Sequence, residues 1–194
     1  MAKVQWKSGT FIYPLPAVMV TSGDMKKSNI ITVAWTGILN TNPAMCYISV
    51  RPERYSYNII KESGEFVINL TTANLAYATD WCGVKSGKNV DKFKEMKLTK
   101  EKANMVKTPL IKECPVSIEC KVKQIIPLGS HDMFMAEVLA IDVDEKYIDH
   151  NGTFDISKCN LIAYANGGYY KLDKKMGKFG FSVQKKRRYG KRRN

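Results

Sequence analysis

Histidine is the scarcest reactive residue in this chain: His131 and His150 are the only two among 194 residues. Chemistry that needs several imidazoles is excluded. No stretch approaches the roughly 18 consecutive apolar residues of a membrane-spanning helix, and the opening "MAKVQWKSGT" has neither an apolar h-region nor a small-residue cleavage site. A cytoplasmic protein is expected. The phosphate-cradling patterns GxGxxG and GxxxxGK[ST] are both missing, so any phosphate must be held by other means. Five cysteines, Cys46, Cys82, Cys114, Cys120 and Cys159, make an odd number with no CxxC pair and no adjacent histidine cluster. That pattern predicts free thiols in a reducing compartment, with no disulfide framework and no metal site.

What is present is ordinary in amount and uneven in placement. A content of 44% hydrophobic and 25% charged residues suits one globular domain large enough to keep water from a site. The formal charge of +13 is concentrated at the end, where "KKRRYGKRRN" holds seven basic groups and no acid, leaving +6 for residues 1–184. A like-charged terminal block repels itself, so residues 185–194 are expected to be a disordered tail following a domain of residues 1–184. As an electrostatic arm for RNA it would bind in a steeply salt-dependent way, but no base-stacking aromatic module accompanies it, so nucleic acid is not an expected partner.

Residues 17–50 read as three strands, "AVMVTS", "NIITVAWTGI" and "AMCYISV", separated by the turns "GDMKKS" and "NTNP". A short helix is expected to begin near Tyr57, with Ser56 as its N-cap and Gly64 closing it. Strand "EFVINL", helical "TANLAYATDWCG" and a lysine-rich excursion with one helical turn at "VDKFKEM" follow. Over 116–123, Val116, Ile118, Cys120 and Val122 alternate with Ser117, Glu119, Lys121 and Lys123, which predicts one dry and one wet face. "HDMFMAEVLAIDV" is apolar on both faces and belongs at the centre of a sheet. "NLIAYANGGYYKL" adds a last strand and a Gly-Gly bend. Short links make the sheet mostly antiparallel, the lack of a βαβ rhythm argues against a doubly wound fold, and a small barrel hides the edges.

Two stretches carry candidate binding chemistry. "SVRPERYSYNII" delivers Ser49 and Arg51 from a strand end to the start of a helix, and an arginine fork, hydroxyls and unsatisfied helix amides together suit a monophosphate. Arg51 and Arg54 could equally pair with Glu53 or Glu62 on the surface. In "NIITVAWT", the small side chains around Thr32, Val33 and Ala34 leave main-chain groups reachable by the edge of a flat heteroaromatic ring. Trp35 and Thr36 would close one side, although a tryptophan in a strand is more often core.

These fragments, with "FIYPLPAVMVTS", "DWCGVKSGKNVDKF", "PLGSHDMFMAEV", "ANGGYYKL" and "GKFGFS", resemble in order and spacing the flavin reductase-like proteins with an FMN-binding split barrel, and more narrowly the flavoredoxins. The likeness runs nearly end to end, and only the basic tail departs from it. It implies a mainly β fold, an antiparallel split β-barrel with a few short helices, assembled as a two-fold homodimer. Non-covalent FMN would sit at the subunit interface. The isoalloxazine would lie against the strand of Asn29, Thr32, Val33, Ala34, Trp35 and Thr36, and the phosphate at Ser49, Val50, Arg51, Ser56 and Tyr57. Lys92 would add a phosphate or ribityl contact. His131 matches a histidine beside the nicotinamide or flavin ring; read by itself it is a turn histidine bonded to backbone. The implied activity passes electrons from NAD(P)H through FMN to a flavin, a ferric complex or a redox protein partner. The rival reading is an electron-transfer flavoprotein without a pyridine nucleotide site.

Overall fold

The structure is a computed structural model describing residues 1–184; the basic segment 185–194, expected to be a tail, lies outside the described residues. Along the chain run β1 (Leu15–Pro16), β2 (Val18–Gly23), β3 (Ser28–Val33), β4 (Thr36–Asn40), β5 (Met45–Val50), α1 (Tyr55–Ser63) and β6 (Glu65–Leu70). Then come α2 (Ala76–Val84), α3 (Lys92–Glu95), β7 (Lys100–Glu101), β8 (Leu110–Ile111), β9 (Val116–Pro127), β10 (Asp132–Val143), β11 (Ile162–Ala165) and β12 (Gly168–Lys171). Among the described residues no helix is long and apolar enough to cross a membrane.

Seven strands form one antiparallel sheet in the order β3-β2-β6-β9-β10-β5-β4. Its two ends, β3 and β4, are consecutive in the chain, so the chain itself closes the ring. The run expected to be one strand over 29–38 is two: β3 pairs with β2 as far as Val33, and β4 pairs with β5 from Thr36 onward. At the change of neighbour the Thr36 amide donates to the Ala34 carbonyl at 3.1 Å, a three-residue turn centred on Trp35. Beyond that turn the two ladders diverge, and the barrel is split there.

Strand alternation sorts the apolar residues into two clusters. Val18, Val20, Ile48, Phe66 and Phe134 fill the barrel, whereas Met19 and Ile30 face outward and are covered by Cys82 of α2, Phe93 of α3 and Ile111 of β8. As expected for a strand apolar on both faces, β10 is central, flanked by β9 and β5.

Three local expectations need correction. Helix α1 starts at Tyr55 with no side-chain cap on its first turn; Ser56 lies inside it, fully buried, and accepts from Asn29 Nδ2 at 2.8 Å. Gly64 does close the helix, at φ 69°. On β9 the wet face is wet only from Lys121 onward, because the segment 99–111 packs over its first half and buries Ser117 and Glu119. The last strand is instead a hairpin, β11 and β12, turning at Asn166 and Gly167, both at positive φ.

Candidate functional site

The split in the wall makes a cleft of about 240 Å³ lined by Ile31 to Trp35, Ser49 to Arg51, Arg54, His131 and Tyr164. Each wall is main chain held by a ladder on its far side. In β3 the Ile30 carbonyl points away from β2, since it accepts from Lys92 Nζ at 2.6 Å. Strand backbone groups alternate in direction, so the amide and carbonyl of Thr32 share that open edge and have no strand to meet. The mixed character of "NIITVAWT" follows: its inward residues serve the barrel, and its outer edge serves the cleft.

Opposite stands His131, which immediately precedes β10 and lies near Val50, since Asp132 pairs with Val50. Its ring lies 4.3 Å from that of Trp35, centre to centre, and its Nδ1 is 2.9 Å from Ser130 Oγ. Burial first, then the Arg51 guanidinium, hold its pKa below the ordinary value, so the ring is neutral near pH 7. Trp35 is a wall residue, 36% exposed, and not part of the core. Arg51 answers to both readings of its sequence context: it lines the cleft and also pairs with Glu53 at 3.4 Å.

A second cleft of about 170 Å³ abuts the first and shares Ile31 and Arg54 with it. It opens over the start of α1 at Tyr55 and Ser56 and is lined also by Asn29, Glu53, Lys92 and the loop from Lys85 to Gly87. Lys92 is nearly sealed, 4% exposed, and donates to the carbonyls of Ile30 and Cys82 at 2.6 Å each. Desolvation lowers its pKa to about 8. Two of its three N–H bonds are thus committed. Gly87 crosses Asn29 so closely that a Cβ there would fall 1.9 Å from Asn29 Oδ1; only glycine lets this loop roof the cleft.

Of the candidate residues, Thr32, Val33, Ala34, Trp35, Ser49, Val50, Arg51 and His131 meet in the first cleft, and Asn29, Ser56 and Lys92 in the second. Thr36 and Tyr57 line neither: the Thr36 hydroxyl donates to the Tyr47 carbonyl, and the Tyr57 hydroxyl to Asp132 beneath the helix. Sequence reasoning missed Tyr164, which a distant hairpin brings in, and the roof at Lys85–Gly87. It weighed Arg54 only as a surface ion-pair partner, although that residue joins the two clefts. Cys82 enters through its carbonyl, a role no thiol pattern signals. Among the described residues no three His, Cys, Asp or Glu side chains gather as a metal-holding group.

Comparison with known proteins decides the class. Residues 10–173 match the model of the flavin reductase like domain. The chain belongs to this family. The family's solved structures include flavoredoxin of Desulfovibrio vulgaris (Miyazaki F), 30% identical with a TM-score of 0.87, covering 94% of this chain and all of that one. Flavoredoxin from Methanosarcina acetivorans is 28% identical with a TM-score of 0.84, covering 95% of this chain and 100% of its own. An NADPH-flavin oxidoreductase of Streptomyces viridifaciens is 26% identical over 129 residues, 65% of each chain. This flavin reductase-like protein is therefore a split-barrel, flavin-related oxidoreductase.

Proposed function

We propose that the chain binds FMN without a covalent link, as a homodimer, and passes electrons from NAD(P)H to a flavin, ferric or protein acceptor in the cytoplasm. One observation carries this: a cleft walled by open strand edge runs into a cationic cleft at a helix start, through the shared Ile31 and Arg54. Together the two volumes reach the roughly 300–1,000 Å³ typical of small-molecule sites.

The residues present fit such a cofactor. The open amide and carbonyl of Thr32 offer the donor and acceptor that the polar rim of an isoalloxazine needs. Arg54, Lys85, Lys92 and the first-turn amides of α1 outweigh Glu53 in the second cleft, as a phosphate monoester requires. When bound, FMN supplies the electron chemistry, and the protein orients and tunes it. His131 and Trp35 stand together at one side of the cleft. In the tautomer in which Ser130 donates to Nδ1, the imidazole proton sits on Nε2, where it can serve a substrate on that side. Five buried, unpaired cysteines accord with a reducing compartment.

Fluorescence titration of the purified protein with FMN and with riboflavin is the first test, followed by anaerobic mixing of the loaded protein with NADH or NADPH. Tighter binding of FMN than riboflavin, and bleaching by a nicotinamide, are expected. Failure to take up FMN overturns the cofactor; uptake without bleaching by either nucleotide overturns the donor alone.

A further inference from the structure

Beside the first cleft the wall opens again. A separate cleft of about 220 Å³ lies between α2 and the β11–β12 hairpin, lined by Ala17, Thr32, Ala34, Asp80, Val84, Tyr164 and Tyr169, with Gly83 at its edge. It shares Thr32, Ala34 and Tyr164 with the first cleft. Whatever occupies it therefore lies alongside the same strand edge.

Its chemistry is opposite to that of the phosphate end. The only charged side chain lining it is Asp80, and no basic residue among the described residues lines it. Tyr169 donates its hydroxyl to Asp80 Oδ1 at 3.2 Å, which fixes the carboxylate toward the cleft and leaves its other oxygen to accept. Burial, and then the Asp80 charge, push the Tyr169 pKa to about 12, so the phenol keeps its proton across the working range. The rings of Tyr164 and Tyr169 meet edge to face at 5.7 Å and 65°, an apolar wall of aromatic edges and faces against which a flat ring can lie. The cleft is small and has acceptors at one end: the free Asp80 oxygen and the phenol oxygen.

We propose that this side cleft is a binding site for the second reactant, selective for a small planar ring bearing an N–H donor group, uncharged or cationic, and discriminating against carboxylates. It rests on the flavin reading only for the word reactant; the site and its charge preference stand on the cleft itself. Gly83 belongs to the selection, since it lines both this cleft and the second one and a Cβ there would come 3.1 Å from Thr32 Cβ and crowd the site.

Three isosteric probes isolate the charge: benzamidine, benzamide and benzoate, titrated by ligand-observed NMR against the full chain with and without FMN. Wild type should bind benzamidine roughly two- to fivefold more tightly than benzoate, the span of a solvent-exposed ion pair, with benzamide between them. Asp80→Asn, an isosteric change on an exposed helix face, should level the three, and Asp80→Lys should reverse their order. Tyr169→Phe should weaken benzamide and leave the charge order intact. Equal binding of all three by wild type, or an order that Asp80→Asn leaves unchanged, overturns the proposal. A correct charge order in a protein that fails to take up FMN sinks the flavin reading and leaves this site standing; FMN uptake without the order does the reverse.

Discussion

Lys92 is a cation held out of water by two carbonyls, and its depressed pKa makes the second cleft sensitive to alkali. Below about pH 8 the ammonium is charged and its third N–H can meet a phosphate oxygen; above that the free protein must first take up a proton to present it. Affinity for FMN should therefore fall as pH rises through 8, by up to about tenfold per unit, while affinity for riboflavin, which lacks the phosphate, stays flat. Parallel titrations of the two ligands across that window check it. Equal slopes would place Lys92 outside the phosphate site. The sequence displayed this lysine only through its resemblance to relatives. Burial by Ile30 and Cys82, residues 62 and 10 positions away, cannot be read from spacing. Ser56 shows the converse. As a serine at a helix start it looks like a cap, yet the neighbouring strand delivers Asn29 against it, and the tertiary hydrogen bond prevails over the local one.

Strand β9 makes the same point at the scale of elements. Its alternation is real, and Ile118 and Cys120 do face the barrel, but polarity alone does not say what covers the other face. Glu119, fully buried, accepts from the amides of Asn104, Met105 and Val106 at 2.8, 2.6 and 2.9 Å. One carboxylate thus takes the place of a strand partner for an otherwise irregular segment. Its neighbour Asp142 is pushed up in pKa by burial and then by its contact with Glu119. Glu119→Gln turns an amide nitrogen toward those donors and should cost about 2–3 kcal/mol of stability. Hydrogen exchange should rise at residues 104–106 and remain unchanged in α1. Uniform acceleration, or no loss of stability, would show that the segment is held by its apolar contacts instead. The barrel, its antiparallel pairing and the central place of β10 were legible because hydrophobic periodicity encodes them. The hairpin at 162–171 and the division of the run at 29–38 were not, since both depend on where the chain changes neighbours.

At the scale of the whole molecule, several large apolar side chains stand exposed. Ile38 on β4 is 87% exposed, and Phe11 and Ile12, in the stretch that packs beside Trp35 and Tyr47, are 71% and 85% exposed. Large exposed apolar residues of this kind suit an interface, and a second copy of the chain is the proposed occupant. Ile38→Asp should convert the protein from a dimer to a species of the chain mass, 22.0 kDa, in sedimentation velocity, with its strand signal in circular dichroism retained. A wild-type protein that already sediments at that mass would remove the dimer and any site shared across it. Nothing in a single sequence separates an apolar residue meant for the core from one meant for a partner, because both obey the same period along a strand.

Where β3 hands over to β4, one side of the gap is the open main-chain edge of β3, locked in register by β2, and the other is the end of β5, held between β4 and β10. The spacing of these two main-chain frames is thus a property of the scaffold. Replacing a lining side chain should therefore change what the doorway admits while leaving its main-chain gauge in place.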